Sequence, residues 1–151
     1  MVCRFELWGG LLEKRNTYDD HSYDGYIHLH SFDFAISGGI DIAFPIGKSV
    51  NFGVYSSWGN GIGYDLLLVG AGPLMLINFR GGGSLYFGGG WSGTFPSYFY
   101  HDDNGMGFGA RLGYKFRGGF YLFGEYNHTS YDYYYHWGRS DAFLLHLGYS
   151  F

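Results

Sequence analysis

The stretch FDFAISGGIDIAF, residues Phe32–Phe44, alternates large apolar residues with small or polar ones along its whole length. Successive side chains of a β-strand point to opposite faces of the sheet. This period of two therefore predicts one long strand with an apolar face and a small or polar face. The same alternation returns in shorter form at residues 50–55, 84–91 and 108–116. The chain is accordingly predicted to be all-β.

The composition agrees with a single β-domain and excludes several other classes of protein. The 151 residues are the size of one domain, which we take to span residues 1–151. Glycine occupies 28 positions, and each interior glycine costs a helix about 1 kcal/mol, which argues against a helical domain. A single cysteine excludes a disulfide framework, and a net charge of −4 argues against nucleic acid as a partner. No cofactor is expected.

Eight strands with alternating short and long connections predict an up-and-down barrel. Tight turns rich in Gly or Pro connect strands at residues 45–48, 80–83 and 117–119, whereas the other connections are mostly longer. This asymmetry is typical of transmembrane barrels, and period two alone also fits a soluble eight-stranded calyx. A bulge is expected near Ser31, where the pattern changes phase, and Pro73 leaves the register of the fourth strand open. The predicted strands are 2–12, 27–44, 49–58, 64–79, 84–95, 105–116, 120–131 and 138–151, and the longer connections include 13–25 and 96–104.

The two strand faces favour the membrane barrel over the calyx. A soluble calyx would carry many Lys and Glu on its outside, whereas here the polar face is mostly Gly, Ser and Ala with a few charges. Such a face suits a narrow lumen closed by ion pairs, so an open pore is not expected. The residues expected to form the lumen ion pairs are Arg4, Glu6, Asp33, Asp41, Arg111, Lys115 and Glu125. The aromatic residues expected at the membrane interfaces include Trp58, Trp91, Tyr131 and Trp137.

The end of the chain resembles the last strand of bacterial outer-membrane barrels. It reads LGYSF (Leu147–Phe151), an alternating strand with a terminal Phe, and residues 107–116 (GFGARLGYKF) are similar to the penultimate hairpins of OmpA-like and OmpX-like eight-stranded barrels. The resemblance implies that Phe151 is a signal for the barrel-assembly machinery. It also implies a monomer in the bacterial outer membrane, with membrane lipid and lipopolysaccharide as partners. No signal peptide is visible in this chain. Long loops rich in Tyr and Asp would give the barrel a structural or surface-interaction role.

One group of polar residues on the last two strands could carry chemistry. Glu125 is expected to face the lumen, which places His128 and Ser130 on the lipid face of the seventh strand. Counting back from the terminal residue places Asp141 on the lipid face of the eighth strand. A loop centred on residues 134–135 then pairs His128 with Asp141 across the ladder. A nucleophile, a base and an orienting acid would thus lie within reach of one another.

This pattern, His-x-Ser followed by an acid on the last strand, resembles the outer-membrane lipid A 3-O-deacylases. These are eight-stranded barrels whose catalytic site faces the outer leaflet. By that resemblance Ser130 would be the nucleophile, His128 the general base and Asp141 the orienting acid of an ester hydrolase. The chain departs from the family at Tyr131, which stands in place of an Asn, and at Asp141, which stands in place of a Glu. The alternative is that these residues are ordinary interfacial side chains of a barrel without enzymatic activity.

Two further polar groups are interpreted as structural. His28 and His30 share a strand face, but no third ligand is indicated, so no metal site is expected there. Residues 101–105 (HDDNG) match no known cation loop and are interpreted as a turn.

Overall fold

The chain forms a closed antiparallel barrel of eight strands, in which each strand pairs with its neighbours in the sequence and β1 pairs with β8. The computed structural model describes the backbone of residues 2–20, 25–61, 66–96, 105–133 and 136–150, and side chains at 9–11, 13, 34–60, 67–95, 105–130 and 138–149. The strands are β1 (Val2–Asp20), β2 (Gly25–Pro45), β3 (Val50–Gly61), β4 (Leu66–Asn78), β5 (Ser84–Pro96), β6 (Gly105–Lys115), β7 (Phe120–Tyr133) and β8 (His136–Ser150). This architecture confirms the predicted all-β, eight-stranded up-and-down fold. Within the described ranges, no helix has the length and apolar character needed to cross a membrane.

The first hairpin is much longer than predicted. We expected β1 to end at residue 12 and a loop to follow at 13–25, but the ladder continues to the pair Asp20–Gly25. The bulge expected near Ser31 is also wrong, because the register is uninterrupted and Ser31 lies opposite Lys14. Both errors have one cause. Alternation indicates a strand and its phase only where the apolar residues keep to one face, and a ladder of backbone hydrogen bonds can continue where they do not.

The register of β4, which the sequence left open, is continuous across its proline. The cross-strand pairs Ala71–Trp91 and Leu74–Gly88 have the same offset, so the break at Pro73 shifts no residue. Proline has no N–H to donate, which interrupts the ladder locally. In this register Leu74 is buried in the barrel and Met75 is exposed on the outer wall.

Two of the tight turns are built from the same four residues. Phe79-Arg80-Gly81-Gly82 and Phe116-Arg117-Gly118-Gly119 both read FRGG. In each turn the last glycine donates its N–H to the carbonyl of the phenylalanine, at 3.0 Å for Gly82 and 3.1 Å for Gly119. Both glycines have φ of 88°, in the left-handed region where a side chain is strained. The turns are therefore three-residue hairpin loops that require glycine at their third position.

The two faces of the sheet divide the residues as the alternation predicts. The outer wall carries exposed large apolar side chains, whereas the inner face is buried. Three apolar clusters of described residues lie inside: one of Ala43, Tyr55, Leu74, Leu76 and Tyr86, one of Ala35, Leu68, Ala142 and Leu144, and one of Tyr121 and Phe123. Large inner residues lie beside glycines. A Cβ on Gly113, for example, would lie only 2.1 Å from the Cβ of Phe123. The inner face is thus filled by rings and leucines as well as by the small residues that the sequence led us to expect.

Replacing Gly119 by alanine is expected to lower the free energy of unfolding by about 1–2 kcal/mol, the cost of holding an L-residue in the left-handed region. Urea unfolding in detergent micelles measures this loss. Gly118→Ala is the matched control, because Gly118 lacks the positive φ and a Cβ there would meet only the Phe120 ring at 3.9 Å. Equal stability of the two variants would contradict the turn geometry.

Candidate functional site

An ion pair crosses from β6 to β7 inside the barrel. Arg111 and Glu125 are cross-strand partners, and their side chains approach to 2.7 Å between Nη2 and Oε2. The arginine side chain is 1% exposed and the glutamate side chain 9%. Asn127 donates its amide to the other oxygen of Glu125 at 2.7 Å. The carboxylate is therefore held from both sides, as a buried charge requires.

Aromatic rings surround this ion pair. The guanidinium of Arg111 lies 4.3 Å from the ring centroid of Tyr55 and 5.5 Å from that of Phe123. His146 stacks on Phe123 with centroids 4.6 Å apart, and its Nε2 lies 3.9 Å from Glu125. Cation–π contacts of a desolvated arginine stabilise its charge in place of water. The network thus combines charge, ring faces and amide donors in one buried layer.

The other residues predicted to close the lumen are placed as follows. Asp41 is buried and accepts a hydrogen bond from the hydroxyl of Tyr86 at 3.3 Å. Lys115 is half-buried at the end of β6. Arg4 lies opposite Asp41 in the register of β1 and β2. The side chains of Arg4, Glu6 and Asp33 lie outside the described residues.

Sequence reasoning missed the inward-facing rings and His146. The inward position of His146 could have been predicted from parity, because the outward residues of β8 are odd-numbered and His146 falls on the opposite face. Tyr55 likewise alternates with Val54, which is exposed on the outer wall. Sequence reasoning considered aromatic residues only at the strand ends and gave no role to these two rings, although parity places both inside.

A second group of polar residues lies on the outer wall near the top of β7 and β8. His128 and Asp141 are cross-strand partners, in the register that the sequence predicted. The Nδ1 of His128 lies 2.8 Å from Oδ1 of Asp141, and both side chains are about a quarter exposed, at 25% and 27%. A second donor, the hydroxyl of Tyr126, reaches the same Oδ1 at 2.7 Å. Phe108 of β6 covers the imidazole with ring centroids 5.2 Å apart.

Ser130 lies on the same outward face as His128, two residues further along β7. It is half-buried and lies opposite the exposed Arg139 of β8. Among the described side chains, no hydrogen bond joins Ser130 to His128. The structure therefore brings two of the three predicted residues into contact and leaves Ser130 adjacent.

The height of this group follows from strand geometry. His128 is eight residues beyond Phe120, the exposed first residue of β7. At about 3.3 Å per residue and a tilt of about 40°, this corresponds to roughly 20 Å above the tight turns. The apolar band of an outer-membrane barrel is about 25 Å tall. The outward residues of β7 between Phe120 and His128 are Leu122, Gly124 and Tyr126, so His128 would lie in the upper part of an apolar band of that height.

The remaining predicted positions are partly described. Trp58 and Trp91 are exposed on the outer wall, at 51% and 41%. The side chains of Tyr131 and Trp137, together with Phe151, lie outside the described residues, as do those of His28 and His30 and residues 101–104. In the part of the chain whose side chains are described, no three His, Cys, Asp or Glu residues are grouped as metal ligands.

The barrel is similar to that of Ail, the attachment invasion locus protein of Yersinia pestis, in its complex with the heparin analogue sucrose octasulfate. The TM-score is 0.52 and the identity 13%, over 100% of both chains. Neisserial surface protein A (NspA) has a TM-score of 0.48 and 14% identity over 97% of each chain, and a designed transmembrane β-barrel has a TM-score of 0.41 at 13% identity, over 94% of this chain and 95% of the designed one. No protein-family model and no curated protein matches the sequence. The likeness to Ail shows a shared fold, that of the small eight-stranded outer-membrane barrels.

Replacing Glu125 by alanine is expected to lower the free energy of unfolding by about 3–5 kcal/mol, because the buried Arg111 would lose its counter-charge. Unfolding in detergent by urea, followed by tryptophan fluorescence, measures the loss. The double variant Arg111→Met with Glu125→Leu removes both charges and should recover most of the stability. A double variant as unstable as Glu125→Ala would contradict the assignment.

Proposed function

We propose that this protein is an integral barrel of the bacterial outer membrane, with a lumen plugged by its own side chains and a structural or surface-interaction role. The observation that carries the proposal is that the barrel is apolar on its outside and charged on its inside, the reverse of a soluble protein. On the outer wall, more than half of the surface of each of Phe34, Leu112, Phe120 and Leu147 is exposed, whereas the charged Arg111 is buried inside. Such an arrangement is unstable in water and suits a bilayer.

The width of an eight-stranded barrel supports the plugged lumen. Eight strands leave an interior about as wide as the side chains that point into it. The ion pair of Arg111 and Glu125 inside the barrel, with Tyr55 and Phe123 against the guanidinium, supports the proposal, because these side chains would fill that width across one layer. The barrel would then contact its surroundings through its rim and its longer connections, several of which have sequences rich in Tyr and Asp.

In liposomes of outer-membrane lipids, the protein is expected to float with the vesicles and to migrate on gels at a different position before and after heating. The vesicles should remain impermeable to small ions because the lumen is filled. An ion-flux dye measures permeability, with an open porin as the positive control. Folding in solution without detergent would contradict the membrane location, and steady conductance would contradict the plugged lumen.

A second candidate function is hydrolysis of an acyl ester of lipid A, which the geometry of His128 and Asp141 favours. Asp141 can only accept a hydrogen bond when ionised, so the hydrogen between them belongs to Nδ1 of His128. The Nε2 of the neutral ring then has a free lone pair and can act as a base. This is the relation of base and orienting acid that serine hydrolases use.

The chemistry of this candidate assigns one step to each group. Nε2 of His128 takes the proton of Ser130 as the serine oxygen forms a bond to the acyl carbonyl carbon. The ester oxygen leaves with that proton as an alcohol, and the acyl group remains on Ser130. Water then attacks the acyl-serine with the same imidazole as base, which releases the fatty acid and restores the hydroxyl. The height of the group, near the top of the apolar band, is where the ester bonds of lipid A would lie.

Replacing Ser130 by alanine is expected to abolish fatty-acid release from lipid A, since the nucleophile is lost. His128→Ala should do the same, and Asp141→Ala should leave reduced activity because the base keeps its lone pair but loses its orientation. Mass spectrometry of lipid A from cells that express each variant measures the loss of an acyl chain.

The matched control for these variants is Ser56→Ala, another outward serine that is exposed on β3, away from this group. The three site variants should fold like the wild type, because their side chains lie on the outer wall. If the wild type removes no acyl chain, this second function is excluded and the structural role remains.

A further inference from the structure

Two donors converge on a single oxygen of Asp141. The hydroxyl of Tyr126 lies 2.7 Å from Oδ1, and Nδ1 of His128 lies 2.8 Å from the same atom. Tyr126 and His128 are two residues apart on one face of β7, and Asp141 lies directly opposite His128. The tyrosine thus reaches the carboxylate diagonally, over a distance that only a long side chain spans.

The hydroxyl of Tyr126 is held in place by its ring. The ring lies 4.9 Å from that of Phe143 and 6.1 Å from that of Phe108, measured between centroids. Phe108 also covers His128. A ring packed from both sides loses little further freedom when its hydroxyl bonds. Tyr126 is therefore a rigid donor rather than a mobile one.

A rigid donor matters here because Asp141 has a competing partner. Arg139 lies two residues along the same face of β8, about 7 Å away along the strand, and its side chain is exposed. An arginine at that distance can reach an aspartate and form an ion pair with it. Such an ion pair would draw the carboxylate away from β7 and leave Nδ1 of His128 without its acceptor.

We propose that Tyr126 is a positioning residue of the hydrolase site, which holds Asp141 on His128 and away from Arg139. The inference rests on the second proposed function for its catalytic meaning. Its structural part is that the carboxylate of Asp141 stays hydrogen-bonded to His128 and does not form an ion pair with Arg139. An aspartate has one carbon fewer than a glutamate and reaches less far across the ladder, so a second anchor on β7 secures its contact with the imidazole.

The test compares Tyr126→Phe with the wild type in hydrolysis of purified lipid A in detergent micelles. The ring and its packing remain, and only the hydroxyl is lost. We expect kcat to fall about tenfold, the fold-change that corresponds to one hydrogen bond of ordinary strength, and KM to stay unchanged. Adding Arg139→Gln to Tyr126→Phe should restore most of the lost kcat, because the competing charge is gone.

The matched control is Tyr114→Phe, which removes a hydroxyl from an outward tyrosine of β6 near the tight turns. Its kcat should equal that of the wild type. If Tyr126→Phe behaves like this control, the positioning role is overturned while the hydrolase stands. If Arg139→Gln restores nothing, the competition between Arg139 and Tyr126 for Asp141 is overturned.

A second measurement tests the positioning role of Tyr126 without an activity assay. Nitrogen-15 spectra of histidine-labelled protein in nanodiscs distinguish a hydrogen on Nδ1 from one on Nε2, and a His128→Ala sample assigns the signal. We expect the Nδ1–H form of His128 to dominate in the wild type and to decrease in Tyr126→Phe. An inactive wild type overturns the hydrolase, and in that case an unchanged His128 signal in Tyr126→Phe overturns the positioning role as well.

Discussion

Closing eight strands into a ring leaves an interior about as wide as the side chains that point into it, and most of this structure depends on that constraint. Every inward residue must fill space and also find a partner, because little room remains for water. Glycines beside aromatic rings allow the inner space to be filled without overlap, as at Gly113 and Phe123. The contacts of Arg111 with Glu125, Tyr55 and Phe123 give a buried charge its partners. In this layer the described inward side chains contact one another as they do in a protein core.

The outer wall follows the opposite rule, because most of its large described side chains are apolar and exposed, as a bilayer without hydrogen-bond partners would favour. Along β7 and β8, the outward residues next to the tight turns are aromatic, aliphatic or glycine, and the polar group of Tyr126, His128 and Asp141 begins at the level of Phe143. Its members satisfy one another, with two donors on one carboxylate oxygen. Such a mutually satisfied cluster would be stable as an interfacial structure of a barrel, and its His128–Asp141 pair is also the base and orienting acid that the proposed hydrolase would need.

The predictions from sequence succeeded where one face of a strand is apolar and failed where that condition lapses. The pairing of His128 with Asp141 was correct because alternation is unbroken on both strands up to the hairpin. The end of β1 was wrong by several residues because Glu13, Lys14 and Arg15 looked like a loop, although their backbone continues the ladder to Asp20. Pro73 obscured the register of β4, which only the observed offset of its neighbours resolves.

The sequence by itself determined the number of strands, the order in which they pair and the two faces of most of them. These properties are local, because a period of two and a glycine turn are written in adjacent residues. Only the tertiary structure decided which inward groups meet. Tyr86 bonds Asp41 across 45 residues, and Arg111 stacks on Tyr55 although two strands, β4 and β5, lie between them in the chain order. Such contacts depend on the stagger and closure of the whole ring, which no single strand encodes. The second donor to the carboxylate of Asp141, the hydroxyl of Tyr126, likewise became apparent only in the tertiary structure, because its diagonal reach depends on how far one strand is displaced against the next.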